Sequence, residues 1–221
     1  QLNREKLYKQ LEEQYETAKQ QGILQIQFVN RNNISFLRVH KPSKFGDDLT
    51  DVREDYKIVN ETKKSIRGFT QGRVAHGFRN SFPIFDKNNN HIGAMEISFS
   101  SEQYQWYLNN INHIHSHFLV DKDIFDTKTW QRKDLVIKYN PSAEHKNLML
   151  NLNKDQSKEV CLDDNKIKLT PHRTMIDKKI VQGEKFNFYL DHKGDIEIIS
   201  FLPIKNLSHK TVAWIVSQTK S

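Results

Sequence analysis

The sequence predicts an α/β (α+β) protein in which a long N-terminal helix precedes two lobes, each an antiparallel sheet flanked by helices. Three observations lead there. Apolar residues recur at helical spacing over the first twenty or so positions and then switch to alternation. Strand-like runs return across short polar turns such as "NRNN" and "DKNNNH". A strand-turn-strand pattern also recurs 120 positions apart: Pro83-Ile84 followed by Ile92-Gly93-Ala94 matches Pro203-Ile204 followed by Val212-Ala213-Trp214.

Residues 2 to 20 are predicted helical, because Leu7, Leu11, Tyr15 and Ala18 share a face, Glu5 precedes Lys9 at a favourable spacing, and Gly22 stops the run. The apolar stripe is narrow. It suits a helix lying along the outside of a domain, or one pairing with a twin from another chain. Leu24, Ile26 and Phe28 then alternate with Gln25 and Gln27, and "ISFLRVH" runs back as a hairpin. Pro42 and Gly46 break that strand, and Asp47 or Asp48 is placed to N-cap a helix carrying Leu49, Val52 and Tyr56. Residues 66 to 85 read as strand, and "IGAMEISFS" returns after the polar turn. With residues 1–22 as the helix, the first lobe spans 23–100. The second, 101–221, repeats its order: a helix over 101–111, a strand from His113 to Val120, an irregular helical middle to about 182, and a meander from Lys185 to Gln218.

The 221 residues are 36% hydrophobic and 28% charged, an ordinary globular make-up. No stretch approaches a membrane span, Ala213-Trp214-Ile215-Val216 being the densest apolar cluster, and the chain starts inside a polar helix, so it reads as an excised piece. The single Cys161 excludes an internal disulfide and a cysteine-cluster metal site. There is no Gly-x-Ser-x-Gly elbow and no glycine-rich phosphate loop, and the adjacent pairs Asp47-Asp48 and Asp163-Asp164 diverge from each other. The chain is therefore expected to be no enzyme and to need no cofactor. Its net charge of +7 comes mostly from lysines interleaved with acids, and no RNA-binding signature accompanies it, so no nucleic-acid partner is expected. The excess is local: no acid lies between Glu61 and Asp86, where Lys63, Lys64, Arg67, Arg73, His76 and Arg79 all fall.

Alternation along one extended strand would put Gln71, Arg73, Ala75, Gly77 and Arg79 on one face and His76 on the other, with Phe36, Arg38 and His40 sharing a face of the partner hairpin. Such rows would form a pocket with aromatic walls and cationic heads. Guanidinium forks fit a carboxylate in two parallel hydrogen bonds, so a small organic anion is the expected ligand. The candidate ligand-binding residues are Phe36, Arg38, His40, Arg73, His76, Arg79 and Glu96. In the alternative, the arginines pair structurally with Glu96, Asp47 or Asp48, or lie on the solvent face. His113, His115 and His117 alternate as three-histidine zinc sites on sheets do, yet nothing in the sequence places a fourth ligand, so strand packing or solvent contact is expected rather than metal.

The runs "FLRVHKPSKFGDDL", "VNETKKSIRGFTQGR", "FPIFDKNNNHIGAMEIS" and "ISFLPIKNLSHKTVAWIVS" resemble the double Cache extracytoplasmic sensor domains of bacterial chemoreceptors, sensor histidine kinases and cyclic-dinucleotide signalling proteins. The resemblance covers nearly the whole chain and is most specific in "RVHKPSKFGDDL" and "GFTQGR". It implies a membrane-distal PAS-like lobe with a ligand cavity, a membrane-proximal PAS-like lobe, and membrane helices outside this sequence. It further implies a periplasmic or extracellular position in an inner-membrane protein, and a homodimer in the full-length receptor. A cytosolic PAS-like signalling module would fold alike. A basic nucleic-acid-binding domain is the more distant alternative.

Overall fold

The computed structural model describes residues 3–71, 76–112, 115–123, 138–152, 169–192 and 195–220. The chain divides into two compact units, Gln1–Gln103 and Tyr104–Ser221.

In the first unit, helix α1 (Arg4–Gln20) starts where the Asn3 side chain accepts from the Lys6 N–H at 3.0 Å. It ends before Gly22, whose φ of 90° suits glycine. Its narrow stripe packs on its own unit's sheet: Leu7, Leu11 and Tyr15 meet Leu37, Val39 and Ile26, and the Tyr15 hydroxyl donates to the Leu24 carbonyl at 3.0 Å. The sheet contains β1 (Ile23–Asn30), β2 (Ser35–Arg38), β3 (Ile66–Gln71), β4 (His76–Phe85) and β5 (His91–Phe99), in the order β2-β1-β5-β4-β3. Every pair is antiparallel. Helix α2 (Glu54–Thr62) covers the face opposite α1, with Tyr56 and Val59 against Val29 and Ala94.

Two expectations for this unit are corrected. Helix α2 begins at Glu54, after Arg53, and neither Asp47 nor Asp48 caps it. The segment before it is held along the sheet edge instead: Ser35 donates to the Asp47 carbonyl, Ile34 bridges Asp48, and the Asp47 carboxylate is taken by Arg38. Residues 66 to 85 are two strands, because Gln71 pairs with His76 and Phe69 with Phe78 in an antiparallel ladder. The alternation that put Arg73 and Arg79 on one strand face therefore does not apply across this reversal.

Helix α3 (Ser101–Asn112) leads into the second unit, a six-stranded antiparallel sheet ordered β7-β8-β6-β11-β10-β9. Its strands are β6 (His115–Asp121), β7 (Lys138–Pro141), β8 (Leu148–Leu152), β9 (Phe186–His192), β10 (Asp195–Lys205) and β11 (Thr211–Lys220). Helix α4 (Arg173–Gln182) precedes β9 and places Ile176 in the core. Phe186 stacks on Phe201 at 4.5 Å, and Trp214 meets both edge-on at 6.1 and 6.4 Å. Strands β7 and β8 correct the irregular helical middle of the sequence reading. Leu148 and Leu150 are buried while Met149 between them is half-buried, a period-two signal over only five residues. Among the described residues, no helix is long and apolar enough to cross a membrane.

The internal repeat is a repeat of geometry. Asp86 Oδ1 accepts from the N–H groups of Asn88 and Asn90, and Asn206 Oδ1 accepts from those of Ser208 and Lys210. Asn89 and His209 both adopt left-handed φ, 63° and 61°, and both ladders shift register at equivalent places, Ile84/Phe85 and Ile204/Lys205. The β1–β2 turn is built the same way on Asn30, with Asn33 at φ 60°. In each turn a short side-chain oxygen satisfies two backbone donors, which is why Asn or Asp begins it.

Candidate functional site

On the α2 face of the first sheet, strand register sets polar side chains in rows. Gln27 pairs with Arg38 on one side and Glu96 on the other, and Glu96 pairs with Ser81. One step along, Gln25, Ser98 and Arg79 form the next row across β1, β5 and β4. Over these rows lies an ion network. Arg79 donates to Glu96 Oε1 at 2.7 Å, Arg53 lies 3.1 Å from Glu96 Oε2, and Arg53 holds Asp55 in two bonds of 2.8 and 2.7 Å. The Tyr56 hydroxyl donates to Glu96 at 3.0 Å, and the Ser81 hydroxyl to Asp55 at 2.7 Å. All four charged groups are buried, Glu96 completely. Burial would raise the Glu96 carboxyl, but Arg79 and Arg53 outweigh it and hold it below its ordinary value. Burial would likewise raise Asp55, and Arg53 outweighs it. Two guanidiniums against two carboxylates leave the network close to neutral.

The predicted site residues fall into separate groups. Arg38 is committed to Asp47 by a two-pronged contact of 2.7 and 2.8 Å and donates also to the Lys44 carbonyl. Arg79 and Glu96 are partners of each other, so the ion-pair alternative describes both described arginines of the set. Phe36 sits at a register shift, between Leu37 opposite Phe28 and Ser35 opposite Val29, and packs with the α1 cluster. That shift breaks the shared face expected for Phe36, Arg38 and His40. The imidazole of His40 lies 3.3 Å from the Ile26 carbonyl, and burial lowers its pKa. Arg73 lies outside the described residues, as does the side chain of His76 at the start of β4. Sequence reasoning missed Arg53, Asp55 and Gln25. The three-residue spacing of Arg53 from Tyr56 was the available signal, since it sets the guanidinium 4.1 Å from that ring.

At the end of this sheet nearest the C-terminus of α1 is a cleft of about 580 Å³. Its α1 wall presents Tyr8, Glu12, Tyr15, Glu16 and Lys19, and its sheet wall Gln25, Val39, His40 and Pro42. Glu12 accepts from the Tyr8 hydroxyl at 2.8 Å, and Glu16 lies 3.5 Å from Lys19. On the α2 face, Arg79 donates to Gln25 Oε1 at 3.3 Å, and among the described residues Arg79 Nε has no hydrogen-bond partner.

In the second unit, His117 on β6 lies 2.6 Å from Glu144 Oε1, and the Ser142 hydroxyl donates to Glu144 Oε2 at 2.6 Å. The His115 ring lies 6.4 Å from that of His117, while His113 is outside the described residues. Among the described residues no three side chains are grouped to hold a metal ion. Burial alone would raise the Glu144 carboxyl; His117 and Ser142 outweigh it and bring it from 4.5 to about 2. A depressed carboxyl stabilises the fold above its unfolded value and loses that contribution as pH falls toward the folded one. Wild type should therefore exceed Glu144→Gln by up to about 3 kcal/mol near pH 6, and the gap should close between about pH 4.5 and 2. Urea midpoints across that range check this, and a gap independent of pH would contradict it.

A family model described as the double sensory domain of two-component sensor kinase matches residues 1–160. No curated protein matches the chain. Among solved structures, an extracellular ligand binding receptor from Desulfohalobium retbaense is 11% identical with a TM-score of 0.48; the match covers 94% of this chain and 32% of that one. The ligand-binding domain of the Campylobacter jejuni chemoreceptor Tlp3, in complex with L-valine, is 12% identical with a TM-score of 0.47, over 96% of this chain and 71% of that one. The sensor domain of DcuS from E. coli is 16% identical with a TM-score of 0.39, over 45% and 71%. The chain thus spans about a third of the length of the Desulfohalobium receptor.

Proposed function

From the premise that the chain belongs to the double Cache family of sensory domains, matched over residues 1–160, we propose that it is the extracytoplasmic ligand-sensing region of a transmembrane signalling receptor. Its first lobe binds a small organic anion, a carboxylate. Its role is binding rather than catalysis, and the parent protein is a homodimer anchored by helices beyond this sequence. The observation that carries the ligand class is the buried Arg79 guanidinium, which keeps its Nε donor unpaired among the described residues of the lobe. A donor of that kind is best satisfied by an ionised acid. Arg73, on the chain between β3 and β4, supplies further positive charge to the same lobe.

Calorimetric titration with small carboxylates tests this reading. Wild type should bind at least one of them with micromolar affinity, since charge-assisted contacts of about 1.5 to 3 kcal/mol each, together with apolar burial, offset the ordering costs. Arg73→Ala should weaken binding about tenfold or more. Lys63→Ala should change little, because Lys63 is exposed at the C-terminus of α2. No binding of any carboxylate, or equal affinity in wild type and Arg73→Ala, would overturn the assignment of ligand class or of Arg73 respectively.

A further inference from the structure

We infer that the second unit carries an acid-responsive latch: proton uptake by His145 frees the loop between β7 and β8 from the end of β6 and draws it toward Asp177 on α4. The latch needs no ligand, so it stands or falls independently of the carboxylate reading.

His145 is only 4% exposed, in a loop whose backbone closes on itself and on the chain just past β6. The Ser142 N–H donates to the Leu148 carbonyl at 2.9 Å, the Leu148 N–H to the His145 carbonyl at 3.0 Å, and the Lys122 N–H to the Asn147 carbonyl at 2.8 Å. The imidazole takes part in this closure, because its Nδ1 accepts from the Asn147 N–H at 3.2 Å. A backbone N–H can only donate, so Nδ1 presents a lone pair and the ring's one proton sits on Nε2, 3.6 Å from Asp177 Oδ1. The ring at rest is therefore neutral, with its tautomer fixed by the loop.

A second proton has only Nδ1 to go to. There it would meet the Asn147 N–H donor against donor, so the turn that presents Asn147 to Lys122 must open to accept it. The ring also gains a full charge facing the half-exposed Asp177. One hold weakens as the other strengthens, and the anchor of the loop passes from β6 to α4, where Arg173 already holds the Ala143 and Glu144 carbonyls. The surroundings favour the neutral ring. Burial lowers the His145 pKa; Asp177 on α4 and Asp121 at the end of β6 favour the proton, whereas Lys146 in the loop and Arg173 on α4 oppose it. In the open loop the ring meets water and titrates near the ordinary histidine value of about 6.5. As pH falls below that value, the open loop binds more protons than the closed one and gains population. This window lies above the range from about pH 4.5 to 2 in which Glu144 titrates.

Amide hydrogen exchange of Asn147 in the full 221-residue chain, between pH 7 and 5, tests the latch. His145→Asn is the comparison: its side-chain oxygen can accept from the N–H two residues on, as asparagine does in turns, but takes up no proton in this range. Comparing the two at each pH removes the ordinary pH dependence of exchange. Relative to the variant, wild type should lose about threefold or more of its protection at Asn147 over that range. The nitrogen-15 shifts of the His145 ring give a second reading that needs no variant: at pH 7.5 Nδ1 should be unprotonated and Nε2 protonated. The opposite tautomer, or the same pH dependence in wild type and His145→Asn, would overturn the inference. So would a loss shared equally by the amides of β10 and β11, which would mean unfolding of the whole unit rather than release of one loop.

Discussion

Glu96→Ala should lower the stability of the first unit by about 3 to 5 kcal/mol, the typical consequence of removing one partner from a buried ion pair. Glu96 is fully buried and accepts contacts from Arg79, Arg53 and the Tyr56 hydroxyl, so its loss strands the buried Arg79 guanidinium and leaves Arg53 with Asp55 alone. The damage extends beyond charge, because Glu96 lies on β5, with β1 on one side and β4 on the other. Hydrogen exchange of β4 and β5 amides is the suitable measurement, since two units need not unfold together. A fall below about 1 kcal/mol would mean that the arginines find water and that the network is not a structural element.

Gly93→Val is expected to be nearly as severe, and for a steric reason. Gly93 has a φ of 154°, and a Cβ there would overlap the Val29 carbonyl oxygen and come within 3.0 Å of the Asn30 Cα, backbone atoms that cannot swing aside. The strain and the overlap together should cost about 3 kcal/mol or more. They fall on the β1–β5 pairing, which joins the two halves of the sheet. The equivalent residue 120 positions on is Ala213, buried and paired with Val120. There the reverse exchange, Ala213→Gly, should cost only about 1 kcal/mol. Equal losses at the two positions would show that the close approach at Gly93 relaxes.

The candidate site was partly legible in the sequence. Alternation and local charge point to Arg79 and His40, and the ion-pair alternative to Glu96; the structure brings Arg79 and Glu96 into contact, as that alternative expects, and His40 to the cleft wall. Arg38 was named on the same grounds and is held by Asp47 instead. Arg73 and His76 were assigned to a face by extending one strand through residues that form the end of one strand and the start of another. Nothing in spacing alone distinguished a continuous strand from two paired ones, since both alternate with period two. Gln25 was read as the polar partner of an alternating strand, which it is; that it touches Arg79 depends on two intervening strand registers.

What the sequence determined by itself is whatever a few neighbouring residues decide. Asn3 and Gly22 bound α1 through a side-chain cap and a positive φ. Asn30, Asp86 and Asn206 each build the same turn from hydrogen bonds within five residues. The alternation of Leu24, Ile26 and Phe28 marks β1. Those interactions close over short stretches of chain, so they can be read without knowing the fold. The tertiary structure alone decided which charge meets which: Arg79 with Glu96 across 17 positions, Tyr56 with Glu96 across 40, and Arg79 with Gln25 across 54. A guanidinium carries no preference among distant carboxylates. Its partner is set by strand order, register and the helix that covers the sheet, and these are fixed by burying apolar surface over the whole unit rather than by any local residue pair.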